Sequence, residues 1–365
     1  MKARNFFIPV LLAGVVMLSL LPVKAIAQKD KPQKPGKEQV VFIPKEIKEI
    51  LQEGLASRQG RQDFPITIFH SLFLPAQQNF HSVFFLNIKN SALNYAALGE
   101  AVPGKEKPDE KAESAPEVPP GQGVGMLEAK FNVFLQFNRL EENAEPQVFK
   151  EVYVPASIQV EEAGFDPEKE DIYTFGYPLP SGRYLLAMAV TSLDLKQIGT
   201  AYYEFTLPDA SQFSKAIDTT SIFFLKSFDK IDAPETRTLV HKGYFTYSIL
   251  KIVPNLEKVF AVGENLDIFF YILGAQQNEQ QQCAIDIDFQ VKKGEELAIR
   301  WAPQTYNTPL ISQPLPMKQT VIIKTQEQEK KEERDLEPGK YTLAIGIKDN
   351  VSGNGLTKTV DFEVK

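Results

Sequence analysis

The sequence predicts an all-β chain of two tandem sandwich domains, with one short helix near the N-terminus. Three observations carry the prediction. First, Leu179-Pro180-Ser181-Gly182-Arg183-Tyr184-Leu185-Leu186 returns as Leu336-Glu337-Pro338-Gly339-Lys340-Tyr341-Thr342-Leu343, 157 positions later. Second, the two copies continue without a gap to Phe205-Thr206-Leu207 and Phe362-Glu363-Val364. Third, from Ile66 onward the chain carries short runs rich in Phe, Ile, Leu and Val, bounded by Pro or Asn, the pattern of strands joined by turns.

At 365 residues, 43% hydrophobic and 24% charged, the chain has a globular composition and room for two ordinary domains. Residues 1–27 read as a signal peptide. Lys2 and Arg4 precede an uncharged run from Phe6 to Leu21, and Ala25-Ile26-Ala27 has the small-x-small spacing of a cleavage site. That run of 16 residues is shorter than the roughly 20 that span a bilayer. The mature chain is therefore expected to be exported, periplasmic or secreted, with no integral membrane segment. Removing the three basic residues of the signal takes the formal net charge from −7 to −10. Nucleic acid is a poor partner for such a chain, because its binding rests on clustered Lys and Arg. Cys283 is the single cysteine, so no intrachain disulfide can form, and it is expected as a small buried side chain.

Residues 28–39 are rich in Lys, Gln and Pro and read as a flexible tether. The first domain is assigned to 40–207. It opens on a β-prone run, Val40 to Ile43, and a helix over 45–58, where Ile47, Ile50, Leu51 and Leu55 form one apolar stripe. Strands follow at Ile66–Leu74 and Val83–Ile88. Residues 102–125, dominated by Pro, Glu, Lys and Gly, form an insertion that cannot bury enough apolar surface to order itself. Strands resume through Met126–Phe137, Val148–Val154, Ile158–Val160, Tyr184–Val190 and Tyr202–Leu207. Residues 208–218 form a linker, and 219–365 the second domain.

The second domain echoes the first in order. Ile222–Leu225 matches Val41–Ile43, Tyr244–Val253 matches Ile66–Leu74, and Phe269-Phe270 matches Phe84-Phe85 at a spacing of 185. The excess over 157 is close to the length of the insertion, which places the insertion between strands that both copies possess. An internal duplication follows. In each repeated strand, period two sends Tyr184, Leu186, Met188 and Val190, and likewise Tyr341, Leu343, Ile345 and Ile347, to one face as core.

The Leu-x-Pro-Gly-x-Tyr-x-Leu segment resembles the turn and sixth strand of fibronectin type III and related immunoglobulin-like sandwiches. The resemblance implies that Tyr184 and Tyr341 hydrogen-bond back to upstream backbone as tyrosine corners. Leu186 and Leu343 stand where antibody-type domains carry a cysteine. The pairing of a signal peptide with two such strands is also similar to uncharacterised exported bacterial proteins of tandem sandwich domains.

No chemistry-bearing motif emerges. His70, His81 and His241 are far apart in sequence and form no H-E-x-x-H pattern, so no metal site is assigned. There is no G-x-S-x-G. Gly121 to Gly125 lacks the spacing and the flanking strand and helix of a phosphate loop. Glu161, Glu162, Asp166, Glu168, Glu170 and Asp171 could offer oxygen ligands to Ca²⁺, but the full calcium-loop pattern is missing and a solvated acidic loop is the simpler expectation. Asp349 to Gly355 reads as a hairpin tip. Gln276–Gln282 and Gln326–Arg334 read as solvated loops, and Asp286 and Asp288 as the wet face of a strand. Trp301 and Tyr306 are the aromatic residues best placed for a sugar platform, with packing the competing expectation. No catalytic residue and no cofactor is assigned. The function expected is a non-catalytic protein-binding, adhesion or spacer module of the cell envelope whose partner is another envelope or extracellular protein. The alternatives are a polysaccharide-binding accessory protein, or an enzyme whose site is assembled from distant residues.

Overall fold

The computed structural model describes residues 43–61, 63, 65–98, 125–324 and 329–365, with no side-chain description for 321–324, 329 and 330. The predicted signal peptide, the tether, Val40 to Phe42 and all but Gly125 of the predicted insertion lie outside the described residues. Among the described residues the fold is predominantly β, built of mostly antiparallel sheets, with one α-helix.

Helix α1 spans Lys45–Ser57 and closes on Arg58 in the left-handed conformation, whose N–H donates to the Gly54 carbonyl. The first half then supplies β1 (Ile66–Ala76), β2 (Asn79–Lys89), β3 (Ala96–Ala97), β4 (Met126–Leu140) and β5 (Gln147–Glu161). It ends with β6 (Glu170–Leu179), β7 (Gly182–Thr191) and β8 (Ile198–Leu207). One sheet runs β1-β2-β6; the other runs β5-β4-β7-β8, with β3 beside the start of β4. Apolar residues of both sheets, among them Phe84, Phe137, Tyr173, Phe175, Leu186 and Met188, close into one core.

The second half carries β9 (Asp218–Thr219), β10 (Phe223–Lys230), β11 (Val240–Lys242), β12 (Phe245–Tyr247), β13 (Leu250–Asn255) and β14 (Val259–Phe260). It continues with β15 (Asn265–Leu273), β16 (Ile285–Lys293), β17 (Glu296–Arg300), β18 (Gln304–Tyr306) and β19 (Leu310–Pro316). The last strands are β20 (Lys318–Lys324), β21 (Glu329–Asp335), β22 (Gly339–Asp349) and β23 (Gly355–Val364). The order β10-β15-β19 repeats β1-β2-β6, and β17-β16-β22-β23 repeats β5-β4-β7-β8. A second core gathers Phe224, Leu266, Ile268 and Phe270 from one sheet and Ile287, Phe289, Leu343 and Ile345 from the other.

The repeated strands match to the residue. Gly182 pairs with Leu207 and Tyr184 with Phe205; Gly339 pairs with Val364 and Tyr341 with Phe362, each partner 157 positions on. Two of the predicted echoes need correction. Phe84 faces the first core and Phe85 the surface shared between the halves, whereas Phe269 faces the shared surface and Phe270 the second core. A spacing of 185 therefore sets opposite faces against each other; Phe84 and Phe270 are the pair that share the core-facing position. The neighbour of β15 is β10, not the 244–253 segment, which pairs on the far side of β10. The predicted loop at Gln326–Arg334 also carries β21, paired with β20. Its run of charges carries no alternation that would mark a strand.

Helix α1 covers a face that the second half, among its described residues, does not reproduce. Ile47 and Leu51 pack on Phe134, Ala187, Ala189 and Ile198, on the outer face of the first half's larger sheet. By the register of β4 with β7 and of β16 with β22, the matching residues of the second half are Asp288, Ala344, Gly346 and Gly355. That face offers little apolar area for a helix to cover. Among the described residues no helix is long and apolar enough to cross a membrane.

Candidate functional site

The residues singled out from sequence are largely absorbed by structure. In the acidic loop, Glu168 pairs with Lys89, and Asp166 accepts from the Glu168 N–H. Asp171 is held by Lys169 at 3.0 Å and Lys242 at 2.8 Å. Two of the six acidic side chains, Glu168 and Asp171, are thus paired with lysines. Among the described residues no group of three or more His, Cys, Asp or Glu is placed to hold a metal ion. Asp349 is fully buried at its hairpin and accepts from the N–H groups of Gln276 and Val351 and from the Ser352 hydroxyl. Burial alone would raise its pKa, but these bonds outweigh burial and hold it below the ordinary carboxylate value. Cys283 is buried in the second core, and that burial, with Asp349 nearby, pushes its thiol pKa up. Trp301 and Tyr306 are half-buried against the same core. Their polar tips are engaged, Trp301 with the Pro316 carbonyl at 3.2 Å and Tyr306 with Gln304 at 2.8 Å. Asp286 accepts from Thr305 and Asn350, and Asp288 pairs with Arg300.

The structure brings together residues that sequence spacing left apart, at the junction of the two halves. Strand β11 leaves the second half and pairs with the free edge of β6, placing His241 opposite Thr174 and Lys242 opposite Tyr173. The Lys242 ammonium then sits 2.8 Å from Asp171 and 3.3 Å from Asn90, with the rings of Tyr95, Phe165 and Tyr173 at 5.2–5.7 Å. An ammonium surrounded by ring faces is stabilised by their quadrupoles. Tyr173 donates to Asn90, and burial together with the Tyr95 hydroxyl pushes its phenol pKa up. A third apolar cluster joins Leu72, Leu74, Val83 and Phe85 to Phe223, Leu225, Phe245 and Phe269, so the halves share core as well as sheet.

Two histidines lie near Glu235 at the same seam. His241 stacks on Tyr244 and its Nε2 lies 3.0 Å from Glu235, which also accepts from Thr246 at 2.8 Å. Glu235 also lies close enough to His81 to favour its protonation, although burial prevails and lowers that pKa. In this arrangement the Thr246 hydroxyl donates to the carboxylate rather than to an imidazole.

Two surfaces remain open. Strand β5 pairs with β4 over Gln147–Glu161, and among the described residues no strand is hydrogen-bonded to its other edge, although β11 lies near it. Val148, Phe149 and Tyr153 project from it at 51%, 42% and 41% exposure. Phe149 is the extra residue of a bulge opposite Phe137 and Asn138 and packs edge-on to Tyr184. Tyr153 stacks on Phe134 and donates to Asn132. The second surface is a cleft of about 580 Å³ where the β6–β7 turn and the end of β8 meet β9 and β15. Neither surface is visible in the sequence, since edge position and cleft depend on tertiary pairing.

No protein-family model matches the chain, and no curated protein matches it. Among solved structures it is similar to a mutant of Salmonella alpha-2-macroglobulin, with a TM-score of 0.16 and 9% identity over 82% of this chain and 16% of that one. The same protein reacted with methylamine gives a TM-score of 0.15 at the same identity and coverage. The chain thus spans 16% of the length of these structures, a likeness too slight to bear on function.

Proposed function

We propose that the chain is a non-catalytic binding module of the cell envelope, exported by its N-terminal signal, that recognises a protein partner by strand addition at β5. We read its two halves as immunoglobulin-like sandwiches of the fibronectin III kind, descended from one duplicated domain. The repeated strand orders, the shared 157-residue register and the two corner tyrosines support that descent. Sandwiches of this kind host many activities, so the function rests on the surface rather than the fold.

The observation that carries the reading is the free edge of β5. A 15-residue strand with one edge unpaired among the described residues offers backbone donors and acceptors that an incoming strand can satisfy. Its exposed Val148, Phe149 and Tyr153 supply apolar and aromatic anchors for alternate side chains of a partner. Pro155 and the bulge at Phe149 limit indiscriminate pairing along the same edge. The chain already uses this chemistry internally, where β11 completes the edge of β6.

The test is site-directed photocrosslinking in intact envelopes, with a benzophenone amino acid in place of Val148 and, separately, in place of the equally exposed Val262. A discrete adduct at position 148 and none at 262 supports the reading. The same adducts at both positions, or none at 148, contradicts it.

A further inference from the structure

The cleft at the junction of the halves shares no residue with β5 and raises a separate question. Its volume of about 580 Å³ falls in the range of small-molecule sites, and seams between domains are where such sites gather. Its lining divides by chemistry. Phe73, Leu207, Phe213 and Leu273 give apolar walls. Arg139, Ser181, Arg183 and Thr206 give a donor-rich wall around the corner turn, and Asp209 and Asp218 supply the acidic groups.

The charges in this cleft are not equally available. Asp218 is paired with Lys358, and Asp209 accepts from the Ser211 N–H at the start of a short 3-10 turn. Arg183 is paired with Glu204, which Arg58 also engages. Among the described residues the Arg139 guanidinium has no carboxylate partner, and it lies against Gly182 and Tyr184 at the cleft rim. One free guanidinium beside a half-neutralised one, with two carboxylates nearby, favours a monoanion and disfavours a dianion. A planar carboxylate matches the guanidinium fork, and the apolar walls require a hydrocarbon body behind it.

From this we infer that the cleft is a binding site for a monocarboxylate with an apolar body, its carboxylate received by Arg139 and its body by Phe73, Phe213 and Leu273. The carboxylate has two possible sources, a free organic acid and the C-terminus of a polypeptide ending in an apolar residue. The second copy provides an internal control. Lys293 rests over Tyr341 much as Arg139 rests beside Tyr184, but it lies outside the cleft.

The experiment is calorimetric titration of the full chain with hexanoate, with N-acetyl-leucyl-phenylalanine, with the amide of that dipeptide, and with inorganic phosphate. Binding of one or both free acids is expected, with the amide and phosphate at least tenfold weaker. A tenfold preference for the dipeptide over hexanoate assigns the source to a polypeptide C-terminus, and parity or the reverse assigns it to small acids. Arg139→Gln should weaken acid binding at least tenfold and Lys293→Gln should leave it unchanged, both with unaltered thermal unfolding because both side chains are on the surface. No binding of either acid, equal binding of the amide, tighter binding of phosphate, or indifference to Arg139→Gln in a folded variant overturns the assignment.

Discussion

Tyr184 and Tyr341, 157 positions apart, make the same hydrogen bond: each hydroxyl donates to the carbonyl four residues upstream, Pro180 at 3.0 Å and Glu337 at 2.8 Å. Each ring stacks on its cross-strand Phe, Phe205 at 5.5 Å and Phe362 at 5.7 Å. Each corner turn opens on a glycine of positive φ, Gly182 at +148° and Gly339 at +156°, a backbone region that side chains with a Cβ rarely enter. Tyr184→Phe and Tyr341→Phe should each cost about 1 kcal/mol of stability, measured by urea unfolding. Their effects should add, because the two corners share no partner. A loss at one corner and none at the other would show that the turns are not equivalent.

Helix α1 is docked through a glycine. Gly54 is buried, and the Tyr202 hydroxyl occupies the space a Cβ would need while donating to the Leu51 carbonyl at 3.0 Å. Gly54→Ala raises helix propensity by about 1 kcal/mol but forces Tyr202 off the helix. The net effect should be destabilising, by about 1–2 kcal/mol. Pairing the substitution with Tyr202→Val, which removes both the hydroxyl and the ring carbons that crowd that position, should recover part of the loss. A stabilised Gly54→Ala variant would show that the helix is not seated as described.

Much of this was legible in the sequence, and the limits are physical. The stripe of Ile47, Ile50, Leu51 and Leu55 announced α1 because helical periodicity is local, and the strand reaches residue-level register because the Pro-Gly turn fixes it. Phe84-Phe85 and Phe269-Phe270 misled because adjacent apolar residues hide which one faces the core. Strand β11 was illegible: three residues, Val240, His241 and Lys242, carry no pattern of their own and become a strand only where β6 receives them. The open edge of β5 was equally hidden, since an edge is defined by the neighbour it lacks.

The Lys242 contact should hold the two halves together. Lys242 and Asp171 are 20% and 16% exposed at their side chains. Burial would raise the Asp171 pKa, but bonds from Lys242, Asn90 and Lys169 prevail and lower it. Lys242→Met keeps the stem's packing and removes the ammonium, leaving Asp171 to Lys169 and Asn90. The expected cost is about 2 kcal/mol, with faster amide exchange at 240–242 than at β7. Unchanged exchange at β11 would place the clamp elsewhere.

Acid should loosen the same seam. Burial holds the His81 imidazole below its ordinary 6.5, against the opposing pull of the Thr246 backbone and Glu235. Burial and Lys258 lower His70 in the same direction. The unfolded chain therefore takes up these protons at a higher pH than the folded one. Their contribution to stability is complete above about pH 6.5 and is lost as the pH falls from there through the folded values. Urea unfolding between pH 7 and 5 should show falling stability, with a shallower slope in His81→Leu. Parallel slopes would remove His81 from the account.

The binding reading meets its most direct test in amide exchange of the full chain, with and without the partner recovered by crosslinking at position 148. Strand addition predicts new protection concentrated in residues 147–161 and little change in β8 or β23. Protection confined to other strands, or none in 147–161 at saturating partner, would contradict it.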